Sequence, residues 1–256
     1  MSHGVNLVIM DNLGIIIPAR EASTRFPGKV LKNILGKPMI QRVWEKCAAC
    51  YDPEKVWVAT DSEKVVNLIK AIGGNAIITD STCKTGMDRV AQANQTLSFD
   101  VVMNVQGDEP ILEDDIISDA IMEFNKGNCD VLNCMSEIKT SNEFINPNVI
   151  KVVVDEYSNL IYMSRSSVPS SKDFNKKLEN VFRQVCVYIL SNNALSFFGE
   201  TKSKEKIESI EDIEILRLLN KNLKIQMLNV NSNSIAVDVP EDILKVEERM
   251  ITSGLV

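Results

Sequence analysis

Histidine, long apolar runs and basic charge are all scarce in this chain of 256 residues. The only histidine, His3, lies at the extreme start, so we expect neither histidine catalysis nor a histidine metal site. No apolar run approaches the roughly 18–20 residues of a membrane-spanning helix. The net charge of −7 disfavours a nucleic-acid partner, because proteins that bind nucleic acids carry a basic face. We therefore expect no membrane and no nucleic acid as partner.

The cysteines suggest no special chemistry. Cys47 and Cys50 have the spacing of a redox pair, but they lie late in an apolar-periodic stretch and no second pair completes a zinc site. We interpret all six cysteines as buried, reduced thiols of a cytoplasmic protein. Residues 1–12 lack the basic and apolar regions of a secretory signal, so we expect a disordered leader or a remnant of cloning. The folded domain is predicted to cover residues 13–253.

Strand-like and helix-like stretches alternate through the first half. Strands are predicted at residues 14–18, 56–60, 76–78 and 101–105, and helices at residues 39–50, 62–72, 88–95 and 111–125. This alternation predicts a single α/β domain with a mainly parallel, doubly wound sheet. The second half is richer in strands, predicted at residues 131–134, 149–155, 160–163, 185–190 and 225–230, with helices at residues 207–219 and 240–250. We expect part of this half to form an insertion over the site.

A polar loop, residues 18–29 with the sequence PAREASTRFPGK, follows the first predicted strand. Arginine forks and a lysine point charge suit phosphate oxygens, and a glycine lets backbone amides approach closely. An ordinary basic surface loop is the alternative. The glycine spacing matches neither a Walker A loop nor the dinucleotide fingerprint, which disfavours a dehydrogenase.

Two aspartates follow apolar stretches in distant parts of the chain. Asp108 comes after the strand at residues 101–105, and Asp238 precedes the helix at residues 240–250. Carboxylates at such strand tips are typical ligands of Mg²⁺, which also takes phosphate and water oxygens. The alternative for each is the N-cap of the helix that follows it.

Three glutamates share one predicted helix in the second half. Glu208, Glu211 and Glu214 are spaced at i, i+3 and i+6, so their side chains are expected to lie along roughly one face. This face either approaches a ligand or is an ordinary solvated acidic surface.

Taken together, these segments resemble the 3-deoxy-manno-octulosonate (Kdo) cytidylyltransferase family. The resemblance rests on residues 18–29, KTGMDR at 84–89, VQGDEP at 105–110, NPNVIKVV at 146–153, Ser164-Arg165, the acidic stretch 207–217 and VDVPED at 237–242. These motifs occur in the family's order from about residue 14 to residue 250. Several consecutive motifs in one order are a far more specific signal than any of them alone.

The resemblance implies a single-domain homodimer, with the strand-rich second half serving dimerisation and sugar binding. It implies a reaction of CTP with a 3-deoxy-2-ulosonic acid that gives pyrophosphate and a CMP-sugar, with Mg²⁺ as cofactor. The CMP-sugar is then expected to serve surface polysaccharide synthesis. By position, the CTP-binding residues are Pro18, Ala19, Arg20, Ser23, Arg25, Lys29, Gly86, Arg89 and Gln106. Arg20, Lys29, Asp108 and Asp238 are the implied catalytic residues, and both aspartates hold the metal. The implied sugar-binding residues are Gln106, Arg165, Gln184, Tyr188 and Glu211.

The chain departs from the Kdo pattern on the sugar side. Gln184 replaces a family histidine, the strand at residues 185–190 lacks both family glycines, and Ser170-Ser171-Lys172 replaces an aromatic residue and an arginine. The nucleotide motifs are intact. The acceptor therefore stays open between Kdo, a Kdo-like acid and a sialic- or legionaminic-type acid. A non-catalytic nucleotide-binding module is the alternative from another class, but the paired aspartates argue against it.

Overall fold

A nine-stranded sheet forms the centre of the fold, and a two-stranded hairpin lies beside it. The computed structural model describes residues 12–21, 26–172, 179–200 and 203–254. The strands are β1 (Leu13–Ala19), β2 (Asn33–Ile34), β3 (Lys37–Pro38), β4 (Val56–Thr60), β5 (Asn75–Ile78), β6 (Val101–Val105), β7 (Val131–Glu137), β8 (Lys151–Val154), β9 (Leu160–Ser164), β10 (Phe182–Ser191) and β11 (Ile225–Asn229).

Helices flank the sheet and connect its strands. They are α1 (Met39–Cys50), α2 (Glu63–Ala71), α3 (Gly86–Leu97), α4 (Asp114–Phe124), α5 (Ser141–Ile145), α6 (Asn192–Glu200), α7 (Lys206–Glu211) and α8 (Pro240–Thr252). Short 3-10 turns lie at Lys29–Leu31, Pro53–Lys55 and Glu214–Leu218. Within the described ranges, none of the helices combines the length and the apolar character needed to cross a membrane.

The main path of the sheet has the order β11-β7-β10-β6-β1-β4-β5. β1 pairs in parallel with β4 and β6, β4 with β5, and β7 with β11. β10 is antiparallel to both β6 and β7, so it alone opposes the direction of the other strands on this path. The predicted α/β class with a mostly parallel central sheet is confirmed. β8 and β9 continue from β10 as an antiparallel addition.

Both faces of the sheet are covered, which explains why β1 is apolar without a break. Ile15 and Ile17 pack on one side with α1 and α4, whereas Ile16 packs on the other with α3 and α6. All seven residues of β1 are buried. A strand buried on two sides needs apolar residues at every position, whereas a half-buried strand alternates apolar and polar residues.

Two predicted helices have different bounds in the structure. The helix predicted from residue 111 begins at Asp114, and the stretch predicted as one helix at residues 207–219 is divided. Asp212 adopts left-handed backbone angles (φ 53°), which ends α7 before the next turn begins. The N-cap alternatives for both aspartates are wrong, because Glu113 occupies the N-cap position of α4 and Val239 that of α8.

The first described residue contacts the rest of the fold. Asn12 belongs to the fold, since its side-chain amide donates to the carbonyl of Ser98 at 2.9 Å, while the rest of the expected leader lies outside the described residues. All six cysteines are unpaired thiols, as predicted. Only Cys47 and Cys134 are fully buried, and the other four are partly exposed.

Candidate active site

The carboxyl ends of β1, β4 and β6 meet at one edge of the sheet and open into a cleft of about 410 Å³. Ligands bind at this edge of open α/β sheets. Most of the predicted nucleotide residues line the cleft: Pro18, Arg20, Lys29, Gly86, Arg89, Gln106, Asp108 and Asp238. Ala19 is buried at the end of β1, and Ser23 and Arg25 lie outside the described residues.

Lys29 lies between the two aspartates that the sequence singled out. Its Nζ is 2.6 Å from Oδ2 of Asp108 and 3.9 Å from Oδ1 of Asp238. The same ammonium donates to the carbonyl of Val237 at 2.7 Å. The N–H of Val237 donates to the carbonyl of Asp108 at 3.0 Å, which fixes the two segments against each other. Residues far apart in sequence therefore converge on one lysine amine.

A glycine makes this convergence sterically feasible. A Cβ at Gly107 would lie 2.7 Å from the carbonyl oxygen of Pro18, closer than real Cβ contacts allow. Any side chain at position 107 would push the segment after β6 away from the end of β1, and Asp108 would move with it.

The two aspartates fit a magnesium ion. Their side chains are 27% and 28% exposed and both border the cleft. Mg²⁺ is usually held by one or two carboxylates together with substrate phosphates and waters, not by a protein cage. Among the described residues there is no group of three or more His, Cys, Asp or Glu side chains that could hold a metal. An ion here would thus depend on oxygens from the substrate.

Arg89 forms part of the cleft wall as a buried ion pair. Its side chain is 3% exposed, and its guanidinium donates to Oδ2 of Asp61 at 3.0 Å and to the hydroxyl of Thr79 at 2.5 Å. Asp61 follows β4, so the pair links α3 to the sheet edge. This ion pair therefore fixes the wall of the cleft beside α3.

Glu214 lines the cleft, although it was not among the predicted site residues. Its carboxylate accepts hydrogen bonds from the N–H of Gly86 at 2.8 Å and of Met87 at 3.0 Å, at the start of α3. Burial raises the pKa of Glu214 to about 7, and the two amide donors offset only part of that effect. The amide of Gly86, one of the predicted CTP-binding residues, is therefore occupied by a carboxylate.

The three glutamates do not lie along one face, so the predicted common acidic face is wrong. Glu208 is fully buried and pairs with Arg217 at 2.6 Å. Glu211 accepts from the hydroxyl of Ser164 at 2.7 Å and from the N–H of Arg165 at 2.9 Å. Asp212 adopts a left-handed backbone conformation that ends α7, so the side chain of Glu214 points in a different direction from those of Glu208 and Glu211.

Arg165 borders the cleft but is held by backbone carbonyls. Its guanidinium donates to the carbonyls of Glu211 at 2.6 Å, Asp212 at 3.0 Å and Pro147 at 3.2 Å. The arginine thereby ties β9 to the segment after α7. This part of the lining also contains Lys84, Lys204 and Asp212, none of which was a predicted site residue.

A second cavity, of about 380 Å³, adjoins the cleft and shares Asp238 with it. Gln184 lines this cavity, and its Nε2 donates to Oδ1 of Asn133 at 2.9 Å and to the hydroxyl of Tyr188 at 3.0 Å. Tyr188 is itself buried, and that burial raises its pKa well above the usual value. Two of the predicted sugar-side residues thus form one buried network next to the second cavity.

Comparison with known proteins places this geometry in a family. The sequence model of the Cytidylyltransferase family matches residues 14–225. The chain is 37% identical over 245 residues to a 3-deoxy-manno-octulosonate cytidylyltransferase of Geobacter metallireducens, covering 92% of this chain and 96% of that protein. It belongs to the 3-deoxy-manno-octulosonate cytidylyltransferase family.

A solved structure agrees with this cytidylyltransferase assignment. A CMP:2-keto-3-deoxy-manno-octonic acid synthetase complexed with CTP superposes with a TM-score of 0.86 at 31% identity, over 94% of this chain and 99% of that one. A glucose-1-phosphate thymidylyltransferase of Bacillus anthracis, at 14% identity and a TM-score of 0.68, shares the fold alone. The fold therefore extends beyond the cytidylyltransferases, whereas the higher identity is to the Kdo branch.

Proposed function

We propose that this cytidylyltransferase converts CTP and a 3-deoxy-2-ulosonic acid, Kdo or a close relative, to a CMP-sugar and pyrophosphate. The observation that carries the proposal is the convergence of Asp108, Lys29 and Asp238 at the sheet edge, in a chain of this family. Three charged groups from distant segments are more than nucleotide binding requires. Such groups are suited to a reaction in which negative charge builds up on phosphate oxygens while a phosphoryl group is transferred.

The reaction is a displacement at the α-phosphorus of CTP. The oxygen of the sugar's anomeric hydroxyl forms a new bond to the α-phosphorus, and the hydroxyl proton passes to solvent. The bond between the α-phosphorus and the oxygen that bridges to the β-phosphate breaks, and pyrophosphate leaves. Such phosphoryl chemistry depends on positioning and on charge neutralisation more than on covalent help. We infer that Lys29 and Arg20 donate to the phosphate oxygens and offset the charge that accumulates on the leaving group.

Asp108 and Asp238 are the residues that would hold Mg²⁺. When bound, this ion supplies Lewis-acid neutralisation of the phosphate and lowers the pKa of the attacking hydroxyl. The carboxylates set the position of that charge, and the contact of Val237 with Asp108 keeps the two segments in register. Arg89 and Asp61 keep the nucleotide wall in place from behind.

A homodimer in the cytoplasm is part of the proposal. The β8–β9 region carries exposed apolar side chains, with Tyr157 77% and Ile161 56% exposed, which suits contact with a second copy. Six unpaired thiols suit a reducing compartment. The sugar product would then serve the assembly of lipopolysaccharide or another surface polysaccharide.

The test is incubation with CTP, Mg²⁺ and a panel of sugar acids, with mass detection of the CMP adduct and measurement of pyrophosphate release. The panel holds Kdo, its close ulosonic relatives and sialic- and legionaminic-type acids, and UTP replaces CTP as a control. We expect an adduct with an octulosonic acid and CTP. Adducts only with nine-carbon acids would move the enzyme to another acceptor class, and binding of CTP without any adduct would make the chain a nucleotide-binding module.

A further inference from the structure

The second cavity is lined by a buried carboxylate, one oxygen of which forms no hydrogen bond within the described part of the chain. Glu109 is 5% exposed and lines this cavity, whereas its neighbour Asp108 lines the cleft. The Oε2 atom of Glu109 has no hydrogen-bond partner among the described residues. Buried polar atoms in native proteins are nearly always paired, so each unpaired one calls for an explanation.

A second unpaired group lies in the same cavity. Ser234 is 8% exposed, and its hydroxyl also lacks a hydrogen-bond partner within the described part of the chain. Glu109 and Ser234 come from separate segments, Glu109 after β6 and Ser234 between β11 and α8. The Ser234 hydroxyl and the Cys186 thiol lie beside the Glu109 carboxylate, yet neither forms a well-aligned hydrogen bond to its Oε2. Two neighbouring oxygens from separate segments that line one cavity can therefore pair with a ligand that donates hydrogen bonds.

The charges around the cavity argue against an anionic group there. Its four acidic side chains, Glu109, Glu143, Asp238 and Asp242, outnumber its two basic ones, Arg183 and Lys245. Lys245 is already paired with Asp242 at 2.8 Å. The adjoining cleft has the opposite balance, with six basic residues and four acidic ones in its lining. A ligand that spans both would therefore place its anionic groups in the cleft and its neutral part in the cavity.

We propose that this cavity binds the hydroxylated tail of the acceptor sugar, with Glu109 and Ser234 as its hydrogen-bonding residues. The inference rests on the proposed function and assigns a place to the part of the acceptor that does not react. Oε2 of Glu109 accepts from a tail hydroxyl, and the Ser234 hydroxyl pairs with another oxygen of the tail. Asp238, which borders both spaces, marks the point where the reacting end of the sugar meets the nucleotide.

The first test compares Glu109→Met, which keeps the size but removes the acceptor, with Glu109→Gln, which retains one acceptor oxygen. We expect the KM for the sugar acid to rise about tenfold in Glu109→Met and less in Glu109→Gln, because one hydrogen bond is lost or weakened. The KM for CTP and kcat should stay within about twofold of the wild-type values. Ser234→Ala should raise the sugar KM about threefold. Glu137→Met, the same change at an exposed position on β7, is the control.

Deoxy analogues of the sugar, each lacking one tail hydroxyl, allow a double-mutant cycle in which one change is made in the enzyme and the other in the substrate. For the analogue that lacks the contacted hydroxyl, Glu109→Met should cost nothing further. A penalty that is equal for every analogue would overturn the proposal. So would an unchanged sugar KM, or parallel losses for CTP and sugar, which would indicate a merely structural role. Thermal unfolding of each variant checks that the fold is retained.

Failure of the proposed function would be seen separately, as a wild-type enzyme that makes no adduct from any ulosonic acid. In that case calorimetry with the same sugar acids decides the role of the cavity. Weaker binding to Glu109→Met than to the wild type supports the site. Equal binding to both proteins, or no binding to the wild type, overturns it.

Discussion

The cleft and the second cavity meet at Asp238 but are built on different principles. In the cleft, charged groups from distant segments already pair with one another, as Lys29 does with Asp108 and Arg89 with Asp61. In the cavity, one oxygen of the Glu109 carboxylate, Oε2, has no hydrogen-bond partner in the described part of the chain. The cleft lies at the parallel edge of the sheet, where the family motifs are intact. The cavity lies against the antiparallel strand β10, where the chain departs from them.

This contrast separates reaction chemistry from substrate choice. The parallel strands deliver the charged residues to one edge whatever the acceptor is, because strand direction fixes where their ends lie. Under the proposed function, the added strands and loops form the wall that a particular sugar must fit. Changes in the cleft should therefore affect turnover with every acceptor, and changes around the cavity should affect one acceptor more than another.

The largest effect is expected for Asp108→Asn. Loss of the carboxylate charge should lower kcat on the order of 10³-fold with every acceptor, because a metal ligand and a partner of Lys29 are removed together. Pyrophosphate release measures this effect. Asp115→Asn, at an exposed position in the first turn of α4, is the control and should be near normal. Near-normal turnover of Asp108→Asn would remove Asp108 from the metal role.

Lys29→Met should lower kcat/KM for CTP on the order of 10²-fold, because a charge that neutralises the triphosphate is lost. Its Nζ also bridges Asp108 and Val237, so Lys29→Arg, which retains the charge with another geometry, should recover only part of the activity. Steady-state kinetics at varied CTP checks both variants. A selective rise in the KM for the sugar acid would instead assign Lys29 to acceptor binding and contradict its role at the triphosphate.

Glu214→Gln should change how stability depends on pH. The folded pKa of about 7 lies above the ordinary Glu value of 4.5, so the folded state holds more protons between these values. Stability that is present below pH 4.5 is therefore lost as pH rises through 7, by about 3 kcal/mol. The variant should lack that loss. Urea unfolding between pH 5 and 8 measures the slope, and identical slopes in both proteins would contradict the assignment.

The smallest effect is expected for Gln184→His, which introduces the residue typical of the family. One of the two hydrogen bonds from Nε2 to Asn133 and Tyr188 is lost, so the sugar KM should shift only a few-fold. The ratio between Kdo and other ulosonic acids should change, while the KM for CTP stays constant. Competition assays with mixed sugar acids measure that ratio. An equal effect on all acceptors would remove Gln184 from substrate choice.

The sequence predicted the elements around the cleft closely. The predicted helix at residues 39–50 and the strands at 56–60 and 101–105 have the same bounds in the structure. Buried strands carry unbroken apolar runs, and their ends are marked by polar residues, so this part of the fold is encoded locally. The convergence of Asp108 and Asp238 on Lys29 followed from the resemblance and from the rule on strand ends.

The second half was harder to predict because single residues decided its geometry. Periodicity across residues 207–219 indicates one helix, but the left-handed conformation of Asp212 divides it and separates Glu211 from Glu214. Periodicity carries no signal for such a break, since an aspartate does not mark it as a glycine would. Nor could the sequence show that Glu109 would be buried with Oε2 unpaired among the described residues, because pairing depends on which segments pack around it.

The most direct test of the whole account is a crystal structure with CTP and Mn²⁺ in place of Mg²⁺, using the anomalous signal of the metal. We expect one peak bound by a carboxylate oxygen from each of Asp108 and Asp238 and by phosphate oxygen of the nucleotide in the cleft. A peak that lies away from both aspartates, or a nucleotide bound outside the cleft, would contradict the account.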